Sequence, residues 1–303
     1  MSDKIKELVN KVVLTGKLAE IEVTEGKNKD KIPYISVKGA IQFGDSKTLT
    51  KRFEKYVQES NNDGKESKVY PKVQEFVKKA KSIAKVGFEE ATEVSIQGSF
   101  ATNDYVNAEE KLIESLKIDA SFFNDAEGEY KGTADIEGYI QSITPEVKGE
   151  EQTETGRLRV TMLTTDFFGN LVPVKNIVVP AELKEDFEAG YEVGQTAKLY
   201  IDFAMNKAEA KPKKTGGIGA QRETEGKSYV EMIVTGADAP YDEDDDNAVS
   251  KKAIKIALAE RKAKLDEIEK KGYQGSKGKS ISNASQNKGK NKPSPVTDED
   301  IPF

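Results

Sequence analysis

Aromatic and cationic residues stand close together at several points of the sequence. Arg52, Phe53 and Tyr56 fall within one short stretch, and Arg157 and Arg159 are separated by a single residue. An aromatic face stacks on an unpaired base for about 1–3 kcal/mol, and a cation neutralises a phosphate. Residues two apart in a strand share a face, so both arginines are predicted to point to the same side. This pattern indicates a surface that binds single-stranded nucleic acid.

The candidate DNA-binding residues lie on the second and third predicted strands of each half, on one later strand and on one long loop. They are Tyr34, Lys38, Lys51, Arg52, Phe53 and Tyr56 in the first half, and Arg157, Arg159, Phe167, Phe168, Lys175, Tyr200, Lys213, Lys214 and Arg222 in the second. An aromatic residue on an alternating strand is more often a core residue. That alternative applies above all to Phe53, Phe168 and Tyr200. The Phe122-Phe123 and Phe167-Phe168 pairs each place two rings on opposite faces of an extended chain.

The absence of cysteine and histidine limits the chemistry of the chain. Thiolate or imidazole ligands are needed by the zinc deaminases and zinc hydrolases, and Ser-His-Asp and Cys-His enzymes need a histidine base. A magnesium-dependent nuclease built on carboxylates remains possible by composition, but no pair of acidic residues at strand ends marks one. We therefore expect a protein without enzymatic activity, cofactor or metal.

The net charge of −6 is unusual for a DNA-binding protein, which is commonly basic. Part of the acid is concentrated in two places, a run over residues 242–246 and the C-terminal end. Neither segment has to lie on a binding face. The net charge is therefore weak evidence against DNA binding.

The hydrophobic pattern predicts the same order of elements twice, with a glycine inside each first strand, Gly16 and Gly138. The first half reads as strands 12–23, 32–43 and 48–57, a helix 71–86, and strands 91–102 and 112–123, after a short helix over 3–10. The second half reads as strands 132–143, 157–165 and 171–179, a helix 180–190, and strands 196–203 and 229–236. This order predicts a mainly β protein with two tandem OB-fold-like barrels, each with a helix. One larger β-sandwich with an inserted helix is the alternative.

Composition divides the chain into four predicted segments: domains 1–126 and 127–241, an acidic linker and helix 242–271, and a flexible tail 272–303. The long loop 206–228 combines glycines with six cations and is predicted to close on DNA. The helix, over 248–271, carries a narrow apolar stripe that favours packing within the chain over pairing with a second copy. The tail is rich in Gly, Ser, Lys, Asn and Gln and is predicted to be a disordered tether.

The tail ends in three carboxylates followed by an Ile-Pro-Phe terminus: Asp298, Glu299, Asp300, Ile301, Pro302 and Phe303. An aromatic anchor with acidic neighbours suits a partner that has an apolar pocket and a basic rim. This tip, at the end of such a tail, resembles that of bacterial and phage single-stranded-DNA-binding proteins. The resemblance implies an OB-fold core that binds DNA and a tip that recruits replication, recombination and repair proteins. The lack of tryptophan departs from many members and leaves the stacking to Tyr and Phe.

The sequence therefore predicts a protein that binds and protects single-stranded DNA during replication, recombination and repair. An interaction scaffold for replication proteins, without strong DNA binding, is the alternative function. We expect a monomer or homodimer in the bacterial cytoplasm, because there is no signal pattern and no long apolar run. The doubled barrel favours a phage-encoded variant.

Overall fold

The computed structural model describes residues 5–43, 49–61, 63–149, 152–207, 228–242 and 244–273. Its strands are β1 (Asn10–Lys27), β2 (Pro33–Gln42), β3 (Thr50–Gln58), β4 (Glu93–Thr102), β5 (Tyr105–Val106), β6 (Leu112–Ile113), β7 (Leu116–Asp125), β8 (Lys131–Lys148), β9 (Thr153–Thr165), β10 (Leu171–Val179), β11 (Thr196–Lys207) and β12 (Ser228–Ala237). Its helices are α1 (Tyr70–Lys79), α2 (Ile83–Val86), α3 (Lys184–Gly190) and α4 (Lys251–Lys271), with a 3₁₀ turn over Ala181–Leu183 before α3.

The strands close into two five-stranded barrels. The first has the order β1-β2-β3-β7-β4 and closes through β1–β4 pairing, and the second has the order β8-β9-β10-β12-β11 and closes through β8–β11 pairing. In each barrel the third and last strands pair in parallel and the helices lie between the third and fourth strands. This is the OB-fold arrangement. The predicted mainly β fold of two tandem OB-fold-like barrels with a C-terminal helix is confirmed.

The two barrels are joined by their first strands. β1 and β8 pair antiparallel, and the register places Val12 opposite Ala134. Val12 precedes Gly16 by as many residues as Ala134 precedes Gly138. A Cβ at Gly16 would lie 2.1 Å from the carbonyl oxygen of Gln42, and one at Gly138 would lie 2.7 Å from that of Leu163. The two glycines therefore hold equivalent places, and a local two-fold axis between Val12 and Ala134 relates the barrels.

Aromatic side chains fill the junction of the barrels. Phe43 and Phe100 of the first barrel meet Phe203 of the second at ring-centroid distances of 6.3 and 6.4 Å. Gly132 gives these rings room, because a Cβ there would lie 2.8 Å from Phe203 and 3.0 Å from Phe43. The buried residues of both barrels form one continuous cluster. The junction is therefore part of the core.

Tertiary hydrogen bonds change two predicted helices. The helix expected over 71–86 is interrupted between α1 and α2. There the Lys81 N–H donates to the Thr92 hydroxyl, and the Lys81 carbonyl oxygen accepts from the Thr92 N–H. The short helix expected over 3–10 is wrong for its described part, residues 5–10. There the backbone N–H of Leu8 donates to the Thr165 hydroxyl, and Val9 exchanges hydrogen bonds with Glu137. Bonds to the second barrel thus hold this segment extended.

Helix α4 packs across both barrels. Ser250 caps its first turn by accepting a hydrogen bond from the Ala253 N–H. Its buried end, with Ala253 and Ile254, forms a small cluster with Leu8 and with Leu163 of the second barrel. Farther along, Arg261 pairs with acidic residues of the β4–β7 connection in the first barrel. The first part of the apolar stripe, Ile254 and Leu258, therefore packs within the chain.

Candidate nucleic-acid interface

The outer surface of β2 and β3 carries an aromatic pair, in which Tyr34 is half-buried and Tyr56 is exposed. We call this surface the first-barrel face and define it by Tyr34, Lys38, Arg52, Glu54 and Tyr56. Strand alternation turns these side chains outward while Ile35, Val37, Phe53 and Val57 fill the core. The Tyr34 and Tyr56 rings lie 5.3 Å apart at 32°, and 51% of Tyr56 is exposed. The face therefore offers flat ring surface to solvent.

Carboxylates partly neutralise the cations of the first-barrel face. Lys38 Nζ lies 3.6 Å from Glu54, and Arg52 Nε lies 3.6 Å from Glu20. Lys117 of the neighbouring β7 also donates to Glu54, at 3.3 Å. The side chains of Lys38 and Arg52 are 63% and 59% exposed. Exposed pairs of this kind contribute about 0–1 kcal/mol, so a phosphate can compete for both cations.

A tight hairpin between β9 and β10, the Phe hairpin (residues 166–170), presents two rings to solvent. Phe167 and Phe168 are each 83% exposed and meet edge to face at 5.5 Å. The Asp166 carboxylate fixes the turn by accepting hydrogen bonds from the backbone N–H groups of Phe168 and Asn170. The alternative that Phe168 is a core residue does not hold, because both residues sit in the turn and not in an extended strand.

Arg157 and Arg159 lie on one face of β9 but are held by acidic residues in an arginine cluster (Glu146, Arg157, Arg159 and Glu231). Arg157 contacts Glu146 at 3.2 Å and Glu231 at 2.6 Å. Arg159 contacts Glu231 at 2.9 Å and also pairs closely with Glu146. The glutamate side chains are only 5% and 4% exposed. The four charges balance, so these arginines are engaged in structural pairs and not freely offered to phosphate.

The surroundings of the arginine cluster shift two pKa values. Burial alone would raise the pKa of Glu146, but a 2.7 Å hydrogen bond from Thr155 and the charges of Arg159 and Arg157 outweigh it and lower that pKa below its ordinary value. Burial raises the pKa of nearby Tyr229, and the charge of Glu231 adds to the effect. The Glu146 carboxylate is thus stabilised in its charged form.

Four other predicted DNA-binding residues face different surroundings. Phe53 is 1% exposed and packs edge-on against Phe123 at 5.9 Å, so its ring belongs to the core and cannot stack on a base. Lys51 Nζ lies 5.7 Å from the centre of the Phe203 ring, at the barrel junction. Tyr200 donates its hydroxyl to Asp238 at 3.0 Å, and Lys175 lies 3.9 Å from Glu114. None of these four side chains joins the first-barrel face.

The remaining predicted site residues lie outside the described residues. They are Lys213, Lys214 and Arg222 of the long loop, and the tip residues Asp298, Glu299, Asp300, Ile301, Pro302 and Phe303. Their roles stay predictions. In the described ranges, no group of His, Cys, Asp and Glu is placed to hold a metal ion. No helix of those ranges is both long and apolar enough to cross a membrane.

Phe122 is an exposed ring that the candidate set omitted. It is 53% exposed on β7, while its neighbour Phe123 stacks on Phe76 at 4.4 Å. Strand alternation places the Phe122 and Phe123 rings on opposite faces, but the sequence does not show which of the two rings faces the solvent. Phe122 and Phe167 line a common cleft between the barrels, with a volume of about 510 Å³.

Comparisons with known proteins give one family and several distant structural likenesses. The family model YorF matches residues 8–271. The wild-type single-stranded DNA binding protein from Thermus aquaticus is 10% identical, with a TM-score of 0.48 over 80% of this chain and 97% of that one. A deletion mutant of it gives 9% identity and a TM-score of 0.46 over 79% and 98%.

The mitochondrial single-stranded DNA binding protein of S. cerevisiae is 13% identical, with a TM-score of 0.25 over 38% of this chain and 93% of that one. No curated protein matches the chain in sequence. The YorF match begins in the segment before β1 and runs to the last residue of α4, so it spans both barrels and the C-terminal helix. On that match, the chain belongs to the YorF family.

Proposed function

We propose that this protein binds single-stranded DNA with little sequence preference and performs no catalysis. The observation that carries the proposal is the Tyr34–Tyr56 pair, in which Tyr56 is 51% exposed, beside Lys38 and Arg52 on strands β2 and β3. In OB-folds this face of the barrel, with the loops that flank it, binds oligonucleotides. Rings stack on bases of any sequence, and the two cations exchange their carboxylate partners for phosphates.

The second barrel contributes to the proposed site through other residues. Phe167 and Phe168 offer two exposed rings on a fixed hairpin. The loop that contains Lys213, Lys214 and Arg222 connects β11 and β12, the position of the fourth-to-fifth strand loop in an OB-fold. We assign those cations to the phosphate backbone. Arg157 and Arg159 support the barrel instead, since each already contacts two carboxylates.

The proposed cellular role is to protect single strands during replication, recombination and repair. The tip, residues 298–303, would then recruit partner proteins, with Phe303 as the anchor and the carboxylates meeting a basic rim. A chain with two barrels needs few copies to cover a strand, which supports a monomer or homodimer. A pull-down with the full chain and with a chain lacking residues 298–303 tests recruitment separately from DNA binding.

Double substitution of Tyr34 and Tyr56 by alanine tests the proposed face. Each stacked base contributes about 1–3 kcal/mol, so affinity for a labelled oligothymidine is expected to fall about 10-fold or more. Fluorescence anisotropy measures the affinity, and circular dichroism confirms that the fold is retained. Tyr273→Ala is the matched control, because Tyr273 is 52% exposed and lies beyond the end of α4. Equal affinities of the double variant and the control would place the site elsewhere.

An interaction scaffold is the second candidate function. The net charge of −6 and the carboxylates beside each cation of the first-barrel face favour it. A scaffold would show no salt-sensitive binding of single strands. Lack of binding by the wild-type chain at low salt would therefore support the scaffold and refute the proposed function.

A further inference from the structure

A cleft separates the Phe hairpin of the second barrel from strands β1, β4 and β7 of the first, and we call it the inter-barrel cleft. Its volume is about 510 Å³, within the range of about 300–1,000 Å³ that is usual for small-molecule sites. Phe122 and Phe167 line it from the two barrels. The cleft lies outside the first-barrel face, so DNA binding at that face does not account for the exposed rings that line the cleft.

The walls of the inter-barrel cleft are fixed to each other. The Asn10 side-chain amide donates to the carbonyl oxygens of Phe100 and Thr165, both at 2.9 Å, and accepts from the Phe100 N–H at 2.9 Å. It thereby ties β1, β4 and β9 together. The Leu8 N–H donates to the Thr165 hydroxyl at 3.2 Å beside it. The cleft is preformed, so a ligand does not have to open it.

The rings of the cleft are held in exposed positions. Phe122 is 53% exposed and Phe167 is 83% exposed. The Asp166 hydrogen bonds keep the hairpin closed, so hydrophobic collapse does not hide the rings. Large rings kept in water on a rigid turn cost free energy, which is typical of a binding surface.

Uncharged polar side chains form the floor between the rings. Gln97, Ser99 and Ser121 line the cleft, and none makes a side-chain hydrogen bond with any residue in the described part of the chain. The charged residues that line it are Glu7, Lys11 and Asp166, so carboxylates outnumber cations there. The floor therefore suits a planar, uncharged group with donors and acceptors on its edge, and a phosphate would find no excess of positive charge there.

Strand β7 connects the cleft to the first-barrel face. It pairs with β3 through Glu54 and Asp119, and its Lys117 donates to Glu54 on that face. Near its end at Asp125, β7 contributes Ser121 and Phe122 to the lining of the cleft. A single strand bound on β2 and β3 can thus follow the outside of β7 toward the cleft. This continuity with the proposed site favours the same strand over a separate protein segment as the occupant of the cleft.

We propose that the inter-barrel cleft binds an unstacked nucleobase of the same single strand. The base lies against Phe122 or Phe167, and its edge meets Gln97, Ser99 and Ser121. Stacking on aromatic rings tolerates every base, and the amide and hydroxyls serve as donor or acceptor. This inference rests on the proposed function, because it extends the path of the same ligand from the first barrel to the second.

Length-dependent binding tests the proposal. One OB-fold covers about 4–16 nucleotides, so a ~8-mer oligothymidine occupies the first-barrel face and a ~30-mer reaches the cleft. The Phe122→Ala, Phe167→Ala double variant, which removes both rings that line the cleft, is expected to weaken ~30-mer binding about 5- to 10-fold and to leave ~8-mer binding unchanged. Phe122→Ala alone should act in the same direction. Phe88→Ala is the control, because Phe88 is 39% exposed and does not line the cleft.

Cross-linking provides the second readout. A ~30-mer with 5-iododeoxyuridine, irradiated on the wild-type protein, is expected to mark Phe122, Phe167 or Phe168. Unchanged ~30-mer affinity in the double variant, or an equal loss with both lengths, would overturn the inference while the proposed function stands. A change in sedimentation coefficient on substitution would also overturn it, since the rings would then join copies of the chain. If the wild-type chain binds neither length, the proposed function itself fails.

Discussion

At the scale of single residues, the arginine cluster is the most consequential set of charges in the described structure. Glu146 and Glu231 are almost fully buried, and each contacts both Arg157 and Arg159. Breaking a buried pair by removing one partner commonly costs about 3–5 kcal/mol, because the other charge stays behind without compensation. The cluster therefore stabilises the second barrel at the base of the long loop.

Glu146→Gln is expected to destabilise the protein at neutral pH by about 3–5 kcal/mol, since two guanidinium groups would share one carboxylate. The pKa of Glu146 is lower in the folded than in the unfolded protein, so its contribution exists above the unfolded pKa and is lost as pH falls through the folded one. The difference between variant and wild type should therefore shrink in acid. Urea unfolding of variant and wild type at about pH 7 and about pH 3.5 measures the loss of stability and its dependence on pH.

Glu109→Gln is the matched control for this experiment. Glu109 pairs with Lys111 at 2.9 Å, but both side chains are 70% exposed. Solvent screens a pair this exposed, so its loss should hardly change the free energy of unfolding. A Glu146→Gln effect that is as small, or that is the same at both pH values, would contradict the role assigned to the cluster.

Residue types identified part of the candidate site. Alternation along β3 explains both the exposed Tyr56 and the buried Phe53, but the sequence does not say which of the two faces is outside. The engagement of Arg157 and Arg159 was not predictable, because their partners Glu146 and Glu231 come from other strands. Glu146 reaches β9 through the pairing of β8 with β9, whereas Glu231 lies on β12 and reaches β9 only in the assembled barrel.

At the scale of elements, helix α4 contacts both barrels and fixes segments of each. Arg261 donates to Asp104 at 3.0 and 3.3 Å and to Glu114 at 2.9 Å, both in the connection from β4 to β7. The Arg261 side chain is 11% exposed and that of Asp104 is 6% exposed. Lys264 also pairs with Asn170 of the Phe hairpin. The helix thus fixes one loop from each barrel.

Arg261→Ala is expected to destabilise the protein by about 3–5 kcal/mol, because it leaves the buried Asp104 carboxylate unpaired. The β5–β6 segment, Tyr105–Ile113, should then exchange its amide hydrogens faster. Hydrogen exchange followed by mass spectrometry measures the local effect, and thermal unfolding measures the global one. Lys262→Ala, at an exposed position of the same helix, is the control. Unchanged exchange in Arg261→Ala would show that the helix does not hold this loop.

Element order was largely predictable, since amphipathic strands and one glycine per first strand repeat in both halves. The exceptions are segments whose backbone bonds to distant residues. The backbone of Lys81 forms hydrogen bonds with Thr92 instead of continuing the helix. The backbones of Leu8 and Val9 likewise form hydrogen bonds with Thr165 and Glu137. Local propensity contains no information about these partners, so pattern alone favoured helix at both places.

At the scale of the whole molecule, pairing of β1 with β8 builds an internal two-fold arrangement in one chain. The two barrels are alike in strand order but differ in surface. The first offers the Tyr34–Tyr56 pair on its β2–β3 surface, whereas the second engages its arginines and presents rings on a hairpin. Symmetry of fold therefore does not imply two equal binding sites.

The most direct test of the account is fluorescence anisotropy with a labelled ~30-mer, as single strand and as duplex, at low and moderate salt. The account predicts tight binding of the single strand, weaker binding as salt rises because phosphates are released from cations, and far weaker binding of the duplex because its bases are already stacked. Equal affinity for both forms, or no binding of the single strand at low salt, would contradict the central claim.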